Sequence, residues 1–413
     1  MTPSLTTLDD PATLRRAGAP VLEAALCALR ERTLALFAAM RATLGGRLDI
    51  AYIETMNPPL WELGHVGWFE EFWLSRNTER SRGTAARLEA ARAPSWLRGA
   101  DALYDSSHVA HTRRWHLDLP SAERTIDNLA RVRQRTLALL RTGPNSDDGL
   151  YFFRLALAHE AMHHEAGLMM AQGLGLDVRS AVAADSPAAA GPRRELAVKG
   201  GRLDVGIDDG GFAFDNELGA HGVEIADFTI DSRPVAWREV LPFVEAGGYD
   251  ERSHWTAAGW AWRRHALPQG LPFHLARDPD VDSGFKRAGF GRWQPLDLDA
   301  PALHLSAHEA AAWCRWAGRR LPTEHEWVQA QRQKGEAFAC GEVWEWTASP
   351  FEAWPGFVAH PYRDYSLPWF DGRPVLKGGS FATQPFMKDP RYRNFFQPQR
   401  NDVFAGFRSC AAA

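Results

Sequence analysis

His159-Glu160-Ala161-Met162-His163-His164-Glu165 lies inside a run that reads as one helix from about Asp148 to about Gly173. Residues four apart share a helix face. His159 and His163 therefore present two imidazoles, one turn apart, on the face that Phe152, Ala156, Ala166 and Met170 continue. An apolar face of this kind looks into a helical interior. Two imidazoles stacked there are better explained as ligands of one metal ion than as packing, with a pair of hydrogen-bonded core histidines as the bland alternative. The same residues also spell H-E-x-x-H, the zinc-peptidase pattern with Glu160 as general base. Its longer form fails, because Ala166 stands where a Gly is required and Met169 where a third His is required.

Working outward, residues 21–44 carry a helical stripe of Leu22, Ala25, Leu26, Leu29, Leu36, Phe37 and Met40. Asn57-Pro58-Pro59 announces a second helix, with Asn as cap and Pro where a missing N–H costs nothing. It runs through Trp61, His65, Trp68, Phe69 and Phe72. A third follows Pro120-Ser121, with Ile126, Leu129, Val132, Thr136, Leu137 and Leu140 on one face, and stops at Gly143-Pro144. Four helices with one long loop, 74–120, predict an up-down bundle. His65 is flanked by Gly64 and Gly67, and each glycine costs a helix about 1 kcal/mol. Two beside one histidine predict a close approach of other chain to that helix, and His65 becomes the third candidate ligand. Three imidazoles leave coordination positions open, and zinc and iron both suit them.

The segment 180–194, SAVAADSPAAAGPRR, has small residues and proline without periodicity and reads as a linker. It divides a helical domain, 1–179, from a second domain, 195–413. The second is a loop-rich α+β unit of short aromatic segments, with helices near 306–318 and 323–333. The net charge of −4 and pI near 6.4 favour neither nucleic acid nor membrane as partner. No apolar run is long enough to span a bilayer and no signal peptide is seen, so the cytoplasm is the expected location. Cys27, Cys314, Cys340 and Cys410 are far apart, which argues against a disulfide framework and a thiolate metal site. Tryptophan outnumbers tyrosine 17 to 7, which suits an irregular core and, at some positions, the face of a cation or sugar.

His159-x-x-x-His163-x-Glu165 preceded by Gly64-His65 resembles the iron-binding, DinB-like bundle of the ergothioneine-biosynthetic sulfoxide synthases. The second half resembles the formylglycine-generating-enzyme (sulfatase-modifying factor, C-type-lectin-like) fold. The residues that carry this are Phe214-Asp215-Asn216-Glu217, Arg320-Leu321-Pro322-Thr323-Glu324, Gly341-Glu342-Val343-Trp344-Glu345-Trp346, Lys377-Gly378-Gly379-Ser380 and Gly406-Phe407-Arg408. The resemblance spans almost the whole chain. It implies an oxidoreductase with Fe(II) held by His65, His159 and His163, coupling hercynine (Nα-trimethylhistidine) at imidazole C2 to a chalcogen donor with O2.

Within that resemblance the loop after the second helix reads Tyr104-Asp105-Ser106-Ser107-His108-Val109-Ala110-His111-Thr112-Arg113-Arg114-Trp115. It lacks the arginine-rich character that grips cysteine-type carboxylates and looks like the selenoneine synthases, which take a selenosugar such as selenoglucose and give a hercynyl selenoxide-type product. Asp105, Ser106, His108, His111 and Trp115 are suitable sugar partners, while Arg113 and Arg114 keep a thiol such as cysteine or γ-glutamylcysteine as the alternative donor. Met162 stands where many relatives have a Gln that orients the imidazole substrate, and Met cannot donate to a ring nitrogen. Asn394, Phe395 and Phe396 resemble the family's substrate-side segment. Trp344, Trp346 and Phe395 are candidates to face the quaternary ammonium. Tyr362 and Tyr365 are the candidates for the proton donor that the family places near iron.

Overall fold

The computed structural model describes residues 10–182, 184, 186–189, 191–207 and 210–412. A short helix α1 (Ala12–Arg16) leads into the bundle helices α2 (Ala19–Thr43), α3 (Pro59–Glu70), α5 (Ala122–Thr142) and α6 (Asp147–Gly173), with the short α4 (Ala100–Tyr104) in the long loop. Ser121 caps α5, its hydroxyl accepting from the Arg124 N–H, and Ser146 caps α6 in the same way through Gly149. Asn57 does not cap α3. Pro58 holds that position, and the Asn57 side chain is used elsewhere. The reason is that Pro59 removes one of the N–H groups that a cap would satisfy. Past Glu70, α3 continues as a π-helical turn, Glu71–Ser75. Ile126, expected on the buried face of α5, is 38% exposed, whereas Leu129, Val132 and Leu140 are buried.

The two glycines of α3 have distinct causes. A Cβ on Gly64 would lie 2.3 Å from the Tyr104 ring, and one on Gly67 would lie 2.9 Å from Leu129 of α5. Gly64 thus lets the end of α4 press against α3 beside His65.

Among the described residues the second half contains α7 (Trp237–Glu245), α8 (Ala257–Ala266), α9 (Ala307–Trp316), α10 (Glu324–Lys334) and thirteen short strands. Glu195–Val198 (β1), Phe228–Asp231 (β4), Cys410–Ala411 (β13) and Arg319–Arg320 (β8) form one sheet in that order. Asn394–Phe395 (β11), Pro374–Lys377 (β10), Trp344–Pro350 (β9) and Ala405–Gly406 (β12) form another. The remaining strands make a hairpin, β2 (Gly201–Val205) with β3 (His221–Ile225), and a three-stranded meander, β5 (Leu275–Arg277), β6 (Phe285–Gly289) and β7 (Arg292–Pro295). Ser306 and Thr323 cap α9 and α10 with reciprocal bonds from Glu309 and Glu326. Buried charge holds the loops in place. Glu345 pairs with Arg408 and Glu324 with Arg393, all nearly fully buried.

The two halves share one apolar cluster, with Trp61, Tyr104 and Phe152 from the bundle and Phe214, Trp344 and Tyr392 from the second half. Polar contacts stitch the same boundary. Arg15 meets Glu217 at 2.5 Å, Tyr151 Oη lies 2.9 Å from His360 Nδ1, and the Gln172 amide bonds the backbone of Ala288 and Phe290. Glu165 of α6 accepts from Trp344 Nε1 at 2.8 Å, Ser380 Oγ at 2.6 Å and Thr383 Oγ1 at 2.8 Å. β9 is thereby fixed against the helix that carries the histidine pair. Among the described residues no helix is long and apolar enough to cross a membrane.

Candidate active site

His65 from α3 and His159 and His163 from α6 converge. One ring nitrogen of each lies within 4.8 Å of those of the others. Ring centroids are 5.1 Å apart for His65–His159, 4.9 Å for His65–His163 and 4.2 Å for His159–His163. His65 Nδ1 sits 2.8 Å from the Tyr104 carbonyl oxygen. A carbonyl only accepts, so the proton is on Nδ1 and Nε2 is left with its lone pair. His163 Nδ1 lies 2.5 Å from Glu62 Oε1, which fixes its tautomer in the same sense. His159 stacks on Phe69 at 3.4 Å, and its Nε2 is buried with no hydrogen-bond partner. An orphaned buried nitrogen beside two oriented imidazoles fits a divalent first-row metal.

The electrostatics agree. Burial, then the neighbouring imidazole of His163, pushes His65 down to about 3. Burial and the other two imidazoles push His159 well below the usual histidine range. Both are therefore neutral at pH 7, and a metal ion displaces no proton from either. Burial works to raise the Glu62 carboxyl, but the His163 imidazole outweighs it and holds the group at about 2, so Glu62 is an anion. Sequence reasoning missed Glu62, although its place three residues before His65 on the same helix face was a usable signal. Replacing it, as Glu62→Gln, is expected to weaken metal binding by roughly 10–100-fold without unfolding the chain; a metal titration followed by calorimetry checks this.

Glu160 cannot act as a base at this centre. Its carboxylate is held by Arg30 Nε at 2.7 Å and Arg133 Nη2 at 2.6 Å, and Glu70 completes a buried quartet through the same two arginines. Glu160 follows His159 by one residue and so points about a quarter turn away from the ligand face. The peptidase reading fails on this geometry.

His159 and His163 open onto a cavity of about 700 Å³ between the two halves, with His65 behind them. Met162, Trp344, Tyr362, Tyr365, Asn394, Phe395, Phe396, Ser106 and Arg114 line it. Tyr362 packs its ring edge on Phe69 at 4.9 Å and lies 6.3 Å from the His159 ring, and burial pushes its phenol up. Tyr365 instead stacks on Phe214 at 4.2 Å and hydrogen-bonds Tyr392. Only Tyr362 of the two thus contacts the aromatic shell of the metal ligands.

Four of the five expected sugar partners, Asp105, His108, His111 and Trp115, lie outside the wall, as does Arg113, expected to grip a carboxylate. Asp105 binds the His108 ring at 2.9 Å, and that ring is 81% exposed. His111 Nε2 bonds the Met56 carbonyl, Trp115 packs on Tyr52, and Arg113 faces solvent. The loop closes on itself as a turn at 105–109 and a 3-10 segment, His111–His116, which turns these side chains away from the cavity. Trp346 is also withdrawn, with its Nε1 donating to the Leu305 carbonyl and its ring fully buried. The wall instead recruits Asn57, Ser107, Asp364, Arg400 and Asp402, which sequence reading did not single out.

A helical bundle and a loop-rich α+β domain with a three-histidine cluster beside the cavity at their junction define a class of two-domain protein with a candidate metal centre. Residues 25–166 match the DinB superfamily, and residues 181–342 and 339–413 match the sulfatase-modifying factor enzyme 1-like domain. The chain is 33% identical to a hercynine oxygenase of Mycolicibacterium smegmatis, over 93% of its own length and 96% of the relative's. It is 33% identical to one of Mycolicibacterium thermoresistibile, over 92% of each chain. With the one of Mycobacterium tuberculosis the identity is 32%, over 86% of this chain and 91% of the relative. The chain belongs to the hercynine oxygenase family.

Proposed function

We propose that this enzyme uses Fe(II) and O2 to join a chalcogen atom to the imidazole C2 of hercynine. The observation that carries the reading is the convergence of three imidazoles, two of which, His159 and His163, line an interdomain cavity large enough for two small substrates. An iron ion held by His65, His159 and His163 would supply the binding and reduction of O2. The protein's own groups position the organic partners. Trp344, Phe395 and Phe396 give a π-rich wall suited to a quaternary ammonium. The Asn394 Oδ1 accepts the Phe395 N–H, leaving its NH2 group to donate to a carboxylate. Tyr362 keeps its proton at neutral pH and can deliver it beside the metal ligands. Tyr362→Phe is expected to lower turnover by roughly 100-fold or more while metal binding stays unchanged; steady-state rates paired with metal analysis separate the two.

The hercynine oxygenase relatives support a thiol as the chalcogen donor. A selenosugar is favoured by the donor-side wall. Arg114 already donates to the carbonyls of Val109 and Ser106 and to Asn57, and Arg400 is clasped by Asp402. Little cationic capacity remains for a dicarboxylate. Ser106 and the hydrogen-bonded pair Ser107 and Asp364 offer the neutral and acidic partners that hydroxyls need. Parallel turnover with selenoglucose, cysteine and γ-glutamylcysteine decides the donor. A preference of tenfold or more for selenoglucose supports the selenoneine-forming reading, and a preference for γ-glutamylcysteine overturns it in favour of the sulfoxide-forming one.

A further inference from the structure

Polar side chains join the donor-side wall to a metal ligand in one unbroken line. Arg114 Nη1 donates to Asn57 Oδ1 at 2.8 Å, and Asn57 Nδ2 donates to Glu62 Oε2 at 2.8 Å. The other oxygen of that carboxylate, Oε1, accepts from His163 Nδ1 at 2.5 Å. All four residues line the cavity. The direction of the line is fixed by chemistry. A guanidinium only donates and a carboxylate only accepts, so one orientation of the Asn57 amide serves both. Arg114 is itself held in place by the Trp61 ring, 4.2 Å from its guanidinium carbon.

We propose that this line is a relay through which occupancy of the donor seat sets the strength of the hydrogen bond between Glu62 and His163. The inference rests on the reading of the three histidines as a metal centre. Its sign follows from competition for hydrogen bonds. A cation donating to the Asn57 oxygen polarises the amide and makes its N–H a stronger donor to Glu62. A donor molecule that draws on the Arg114 N–H groups loosens this pull. Glu62 then keeps more charge on Oε1 and pulls harder on the His163 Nδ1 proton. The imidazole becomes more electron-rich, and a metal ion held by it would be easier to oxidise. Filling the donor seat would therefore favour the oxidised metal, and an empty seat would not. His65 is the comparison, because its Nδ1 proton goes to the Tyr104 carbonyl and it meets Glu62 and Arg114 through space, not through the hydrogen-bonded line. Asn57 and Arg114 are positioning residues in this scheme.

The test reads the Nδ1–H resonances of His65 and His163 in the full-length, 15N-histidine-labelled chain loaded with Zn(II). Asn57→Ala is expected to move the His163 line downfield by clearly more than the His65 line, and Arg114→Ala is expected to move the His163 line in the same direction by less. Saturation with 1-thio-β-D-glucose or γ-glutamylcysteine should shift the His163 line in the parent protein and not in Asn57→Ala. A His163 line that stays put in both variants overturns the relay. If Zn(II) perturbs neither histidine, the metal reading is what fails, and the same Asn57→Ala comparison in the metal-free protein still decides whether the line transmits.

Discussion

His65→Ala is expected to abolish turnover and to weaken metal binding by more than about 100-fold, beyond the cost of losing an outer partner such as Glu62. The variant is the most telling of the three ligand replacements. His159 and His163 form a one-helix pair that the sequence alone presents, whereas His65 arrives from α3, and its Nδ1 is already spent on the Tyr104 carbonyl. Removing it leaves two imidazoles on one side of the ion. The fold should survive, because the lost ring lies between Trp61 and Trp68, which stay buried against the rest of the core. Metal content after dialysis and the circular dichroism spectrum check the two halves of this expectation. Retention of full metal and turnover would remove His65 from the ligand set.

The second large effect concerns stability. Arg30, Arg133, Glu70 and Glu160 bury four charges between α2, α3, α5 and α6, with every side chain less than a tenth exposed. Glu160→Ala leaves two guanidinium groups sharing one carboxylate in the bundle interior. Breaking such a buried arrangement costs about 3–5 kcal/mol. Glu160→Gln, which keeps the shape and part of the hydrogen bonding, is expected to cost less. Urea unfolding of the metal-free proteins measures both. The outcome also bears on chemistry. Glu160→Gln protein that remains folded should turn over near the parent rate, whereas a catalytic base would lose activity without losing stability.

The bundle was legible because periodicity encodes it. Apolar side chains at helical spacing placed α2, α5 and α6 within a few residues of their observed ends, and the i, i+4 histidine pair follows from the same period. The glycines around His65 carried a packing signal that the structure explains through Tyr104 and Leu129. Within the loop from Tyr104 to Trp115, Ser106 and Arg114 reach the wall and the other candidates do not. Side-chain direction in a turn and a 3-10 segment follows hydrogen bonding that has no period, so His108 turns to the Asp105 carboxylate and His111 to the distant Met56 carbonyl. The same limit applies to Tyr362 and Tyr365, which flank one 3-10 turn, Arg363–Tyr365, and meet different surroundings. Asn57, Glu62 and Arg114 are separated in sequence, and only the folded chain shows them in line.

The central claim is that three histidines from two helices share one metal ion. Crystals of the protein loaded anaerobically with Fe(II), measured on both sides of the iron absorption edge, test it directly. The account predicts a single anomalous peak about 2.1 Å from one ring nitrogen of each of His65, His159 and His163. A peak bound by the α6 pair alone, or lying elsewhere in the chain, would contradict it.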